Sequence, residues 1–195
     1  MSIFHSQCIQ YFYIIIDFIG DMMIEIVKED FEENKRRYNK LVEKLKIKLP
    51  NEVQITHIGS TAIPNMYGKN ILDILIGVKD ISQFDEVCKI LKDIGFIASA
   101  KNKDKDYQFF SSSSKETKEG DVHIHLSIIH TNRFKEFILI KEYLLKNKDE
   151  AQKYSNFKRK ISRDKIERNE YKRIKSKYVS ELLERAKIDK GGTTK

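Results

Sequence analysis

Gly59, Ser60 and Thr61 stand directly after a short apolar stretch, Val53 to Ile58. A glycine at the end of a strand lets backbone N–H groups approach an anion, and two hydroxyls add donors without bulk. A short helix starting there would favour phosphate further through the partial positive charge at its N-terminus. The same three residues also make an ordinary structural turn. Twelve residues separate Ser60 from Asp73, which lies inside the run Asn70 to Val78, otherwise apolar on both faces and with the character of a strand covered on each side. A carboxylate in such a strand is costly unless it is paired, protonated or bound to a cation. Lys69 is a candidate partner that would make it purely structural. Further on, His123 and His125 fall on one face of an alternating run, Asp121 to Ile129. Two imidazoles so placed stand about 7 Å apart. With Asp73 they compose a two-histidine, one-carboxylate set for a divalent cation. They serve equally as donors to a phosphate, or as two histidines on a sheet surface.

The elements that must position these groups are legible in the spacing. Phe31, Tyr38, Leu41, Val42, Leu45 and Leu49 recur at helical intervals, with Asp30 as N-cap, Glu33 three residues on and Pro50 as terminator. Val53 to Ile58 reads as a strand leading into the Gly59 turn. A second helix runs from a Ser82 cap through Ile94 and stops at Gly95. Phe96 to Ser99 and Tyr107 to Ser113 read as strands joined by a polar loop, Lys101 to Asp106, and a turn at Lys115 to Gly120 precedes the histidine strand. From Asn132 to about Ala186 the pattern is helical, and breaks near Asn147 to Asp149 and Ser162 to Asp164 predict three helices. This order argues an α/β (α+β) core over residues 22–130, a C-terminal helical cap over 131–188 and a tail over 189–195, with Gly191 to Lys195 having the composition of a frayed end.

At 195 residues the chain is sized for one domain, and it can bury enough surface to need neither disulfide nor structural metal. Cys8 and Cys88 are far apart, which disfavours a disulfide framework and suits a reducing cytoplasm. The formal charge is +8. Eleven Lys or Arg against three acids between Lys153 and Lys177 account for all of it. That basic helical stretch would attract nucleotides, RNA or acidic surfaces, or it is simply a solvated face. Ile9 to Ile19 is strongly apolar but about half the ~20 residues a spanning helix needs, and Asp17 interrupts it. Met22 and Met23 sit where an ordinary chain would start, so residues 1–21 are read as an upstream extension and the true start as Met1, Met22 or Met23, with no membrane role.

His57-Ile-Gly-Ser-Thr-Ala-Ile-Pro64, then Lys69, then Ile71-Leu-Asp-Ile-Leu-Ile-Gly-Val78, resembles the signature of the GrpB family of nucleotidyltransferase-like proteins. Collinear weaker matches follow: Tyr107 to Phe110, His123-Ile-His125, Ile140 to Leu144, then Ala151, Tyr154, Lys158, Tyr171 and Lys175, so the likeness runs from about Ile24 to Ala186. The resemblance implies the polymerase-β-type nucleotidyltransferase fold, a mixed sheet flanked by helices. It also implies that Gly59, Ser60 and Thr61 hold a nucleoside triphosphate, with Lys69 as a charge partner. Asp73 would be the first of the carboxylates that bind divalent metal in that fold. Leu75 departs from it, standing where a second carboxylate is expected, and the later strand carries His123 and His125 instead of an acid. Such a donor set suits Mn²⁺ or Zn²⁺ better than Mg²⁺. Asn65, Asn70 and Gln108 are smaller departures, where Gly, Pro and Arg are usual. Two readings follow: a nucleotide-binding protein that transfers a nucleotidyl group with a divalent metal, using Asp73, His123 and His125, or a non-catalytic module that binds a nucleotide, another phosphorylated small molecule or RNA.

Overall fold

The computed structural model of the chain describes residues 25–112, 121–164 and 166–192. The segment 1–21 read above as an extension, Cys8 and the 115–120 turn lie outside the described residues. Along the chain the elements are β1 (Val27–Lys28), α1 (Phe31–Lys48), β2 (Gln54–Ile58), a single 3₁₀ turn (Ser60–Ala62), β3 (Tyr67–Gly68), β4 (Leu72–Val78) and α2 (Ile81–Asp93). There follow β5 (Ile97–Asp104), β6 (Tyr107–Ser111), β7 (Val122–Ile128), α3 (Asn132–Lys146), α4 (Lys148–Arg163) and α5 (Arg168–Gly192).

Five strands form one mixed sheet in the order β2-β4-β7-β6-β5, and β1 pairs with β3 apart from it. β4 and β7 at its centre are parallel, while β2–β4, β6–β7 and β5–β6 are antiparallel. Alternation along β4 and β7 then assigns the two faces. Leu72, Ile74, Ile76, Ile124 and Leu126 point to one side, where Phe84, Val87 and Leu91 of α2 and Leu45 of α1 complete the main core. Asp73, Leu75, Gly77, His123 and His125 point to the other, which the C-terminal helices cover. There Phe134 of α3 packs on Leu75 and Ile58. A Cβ at Gly77 would run into the Phe134 ring, so the absence of a side chain lets α3 lie close to the sheet. Ser155 ties α4 to the same body, its hydroxyl accepting the Tyr67 N–H at 2.8 Å.

The expected mixed sheet, flanking helices and helical cap are thus present. Asp30 caps α1 as expected, accepting the Glu33 N–H at 2.9 Å. Three local expectations are corrected. The cap of α2 is Asp80, which accepts the Gln83 N–H at 2.9 Å, so the helix begins before Ser82. Most of the polar stretch 101–106 is strand rather than loop, since β5 continues to Asp104. Its lysines and acids are those of a sheet edge, where charge guards unpaired backbone groups. Helix α5 runs to Gly192, into the stretch whose composition reads as a frayed end. Among the described residues no helix is long and apolar enough to cross a membrane.

Candidate functional site

The parallel register of β4 and β7 sets Asp73 beside His123 and Leu75 beside His125. His123 Nδ1 donates to Asp73 Oδ1 at 3.2 Å, and His125 Nε2 lies 4.0 Å from the same oxygen. On its far side His125 Nδ1 meets the Tyr107 hydroxyl at 2.9 Å. Burial pushes the Tyr107 phenol up to about 12, so it keeps its proton. When that proton is donated to Nδ1, the His125 ring proton is on Nε2, the nitrogen facing Asp73. Phe109 of β6 packs edge-on against both imidazoles. β2 runs antiparallel to β4 with Ile58 opposite Asp73, which brings the chain to Gly59. Gly59 adopts φ 74 and ψ −168, a conformation open essentially to glycine alone. A Cβ there would collide with the Asp73 carboxylate.

Opposite this wall stand the C-terminal helices, and between them lies a cavity of about 540 Å³. Ser60, Asp73, His123 and His125 line it from the sheet side, Phe137 and Lys141 from α3, Tyr154 and Lys158 from α4, and Tyr171, Lys172 and Lys175 from α5. The basic stretch of the sequence is therefore divided. Lys158 is 3% exposed and Lys175 reaches the cavity, whereas Lys153 and Arg173 pair with Glu150 and Glu170 at the surface.

Burial alone would raise the Asp73 carboxyl, but the His123 hydrogen bond and the charges of His125, His123 and Lys175 outweigh it and hold Asp73 below its usual range. Asp73 is thus ionised, with its side chain 26% exposed. Burial lowers His125 to about 4, against the pull of Asp73, so this imidazole is neutral at pH 7. Burial also lowers Lys158, to about 7, with Lys175 pushing the same way and Glu29 and Asp73 opposing.

Ser60, Gly59, Lys69, Asp73, His123 and His125 all line the one cavity, as a shared site requires. Thr61 does not: it is fully buried and its hydroxyl sits 2.9 Å from His57 Nε2. His57 in turn stacks on Tyr38, and burial brings it down to about 4. The Ser60 hydroxyl donates to Glu29 Oε1 at 3.3 Å, so the turn offers an incoming anion chiefly its backbone. Lys69 lies over the Tyr171 ring with its nitrogen 5.7 Å from the ring centre, and is not the partner of Asp73. The donor set does not form the paired-metal cage of polymerase-type enzymes. Leu75 is wholly buried in its place, and among the described residues no group of three His, Cys, Asp or Glu side chains is disposed to hold a metal ion.

One residue that matters here escapes the sequence reading, and a second enters it only as a match at the family spacing. Glu29 is buried at the cavity edge and accepts from Asn34 Nδ2, Ser60 Oγ and the Asn70 N–H. In sequence it is one acid in an acidic patch before a helix and carries no distinguishing signal. Lys158 is named there for its family spacing alone, yet its burial is also legible, because it falls four residues after Tyr154 on the apolar stripe of α4 with Ala151 and Ile161.

The sequence model described as GrpB protein matches residues 23–185. The chain belongs to the GrpB family. It is 30% identical over 171 residues to the UPF0157 protein YqkA of Bacillus subtilis, covering 84% of this chain but only 46% of that one. The chain thus spans less than half the length of that relative. It is 28% identical to the UPF0157 protein VC_A0354 of Vibrio cholerae, covering 86% of each. Among solved structures, the conserved protein GrpB from Enterococcus faecalis superposes with a TM-score of 0.72 at 18% identity, over 83% of this chain and 96% of that one, and so has the same fold.

Proposed function

We propose that this chain binds a nucleotide or another phosphorylated small molecule in the cavity between the sheet and the C-terminal helices. The observation that supports it most directly is the charge of the lining: among the described residues it holds five lysines, at 69, 141, 158, 172 and 175, and one carboxylate, Asp73. In a partly enclosed site such an excess draws phosphate strongly, because water screens it less than at an open surface. Phe109 and Phe137 in the lining supply an apolar surface for a base or a comparable flat group. Asp73, ionised and held by His123, accepts from a ligand hydroxyl or amine. The non-catalytic reading is favoured over nucleotidyl transfer by Leu75 and by the absence of a metal cage among the described residues.

Calorimetric titration with ATP, GTP and AMP, each without metal and with Mg²⁺, Mn²⁺ or Zn²⁺, tests the proposal. Binding is expected without metal, and Lys175→Ala is expected to weaken it about tenfold, the worth of one good charge-assisted contact. Absence of binding by every nucleotide under every condition refutes it. Release of pyrophosphate from ATP with Mg²⁺ or Mn²⁺, lost in Asp73→Asn, would move the reading to a nucleotidyltransferase. Tight RNA binding with a steep salt dependence would instead assign the exposed lysines and arginines of α4 and α5 to nucleic acid.

A further inference from the structure

Lys158 is an oddity that the binding proposal leaves unexplained. Its side chain is 3% exposed, yet no carboxylate lies within ion-pair distance among the described residues, and its nitrogen stands over the Tyr154 ring, 4.9 Å from the ring centre. No fully enclosed side-chain nitrogen or oxygen among the described residues lacks a hydrogen-bond partner, so the ammonium nitrogen must open onto the cavity that Lys158 lines. The Ser155 bond to Tyr67 fastens helix α4 to β3 about one turn earlier. The charged and titratable groups around it come from every neighbouring element. They are Glu29 before α1, Lys69 after β3, Asp73 on β4, His123 on β7, Tyr154 on α4, and Tyr171 and Lys175 on α5. Glu29 is spoken for by Asn34, Ser60 and Asn70, and Asp73 by His123. A second cation, Lys175, presses on the same space. Among the described residues no carboxylate is left over to pair with Lys158.

We infer that Lys158 selects ligands ending in a doubly charged phosphate group, and that binding such a group draws one proton from solvent onto the Lys158 amine. The inference rests on the anion-binding reading of the cavity and deepens it. In the free protein Lys158 changes protonation at about 7, chiefly because it is buried. A dianion beside it supplies the missing counter-charge and restores the ammonium form. A monoanionic diester supplies half that charge and is disfavoured. Neutral pH then lies where the coupling begins to weigh on affinity.

Sulfate is the informative probe, since it is a dianion at every pH used and any proton taken up must come to the protein. Titrating the full chain with sodium sulfate in buffers of different ionisation heat counts the protons. Uptake is expected to rise from about one-tenth of a proton near pH 6 to about nine-tenths near pH 8. Affinity should fall about tenfold for each pH unit above that. Lys158→Arg, which keeps the charge but cannot release the proton, should still bind sulfate with no proton uptake and little pH dependence over the same range. Lys158→Met should lose at least tenfold in affinity. Sulfate binding by the wild type with a heat independent of buffer, or uptake that persists in Lys158→Arg, overturns the inference while leaving the anion site standing. If neither sulfate nor any nucleotide binds, the inference falls together with the functional reading. Should Lys158→Arg fail to fold, the buffer dependence of the wild type alone decides the matter.

Discussion

Replacing Gly59 by alanine perturbs the junction on which the whole sheet-side wall depends. Two costs arise together. The backbone at φ 74 and ψ −168 lies in a region that a residue with a Cβ enters at about 1–3 kcal/mol. The new methyl group also meets the Asp73 carboxylate, which must turn away and lengthen its 3.2 Å bond from His123. A hydrogen bond to a charged group is worth about 1.5–3 kcal/mol. Losing part of it brings the expected destabilisation to about 3 kcal/mol or more, which for a chain of this size lowers Tm by roughly 6–12 °C. Urea unfolding followed by circular dichroism measures it, with Asp73→Ala and the double variant completing a cycle. The clash with the carboxylate should vanish once Asp73 is alanine, leaving the backbone cost of about 1–3 kcal/mol and the contact with the Cβ of residue 73 at 2.9 Å, so Gly59→Ala should cost clearly less there than in the wild type. A loss below 1 kcal/mol in the wild-type background, or an equal loss with and without the Asp73 side chain, refutes the close approach of Gly59 to Asp73.

Other expectations concern the buried ionisable groups. His57 and His125 are both held near 4 in the folded protein against 6.5 when free, so below about pH 6.5 the unfolded chain binds more protons and stability falls. The slope should approach about 1.4 kcal/mol per pH unit for each histidine, and His57→Gln should roughly halve it. Burial pushes the Glu29 carboxyl up, which opposes this trend at the acid end, so urea unfolding is best compared between about pH 6.5 and 5.5. Glu29→Gln should lower stability by about 1–3 kcal/mol, because one amide oxygen cannot accept from Asn34, Ser60 and Asn70 at once; unchanged urea midpoints would remove Glu29 from its bracing role. Lys158→Met should raise Tm in the absence of ligand, since it removes a buried charge with no ion-pair partner, while weakening anion binding. A fall in Tm would mean that the Tyr154 contact and the field of Glu29 already compensate the charge.

Much of the scaffold was readable from spacing. The alternation of Val122 to Ile128 put His123 and His125 on one face, and the doubly apolar run around Asp73 identified a central strand. The motif from His57 to Pro64 was read correctly as a turn after a strand, and its likeness to the GrpB family held over residues 23–185. Misreadings came where local composition misleads. A charged sheet edge, Lys101 to Asp104, looks like a loop because both are polar, and two candidate caps two residues apart, Asp80 and Ser82, differ only in which carbonyl starts the helix.

What the sequence determined by itself was periodicity: which residues alternate, which recur each helical turn, and hence which faces are apolar and which strand must be central. It also placed a carboxylate and two histidines on strands where burial makes them expensive. Partnership was decided only by the tertiary structure, because partners meet across elements far apart in the chain. Asp73 faces His123 fifty residues on rather than the nearby Lys69, and the Thr61 hydroxyl turns to His57 and away from the cavity. Lys158, one of eleven lysines and arginines in a basic stretch, becomes distinct only when α4 is tied against β3 and its amine is shut between Tyr154 and an acid-poor cavity. Charge is a property of a residue. Its cost, and the ligand that would relieve it, belong to the surroundings that folding assembles.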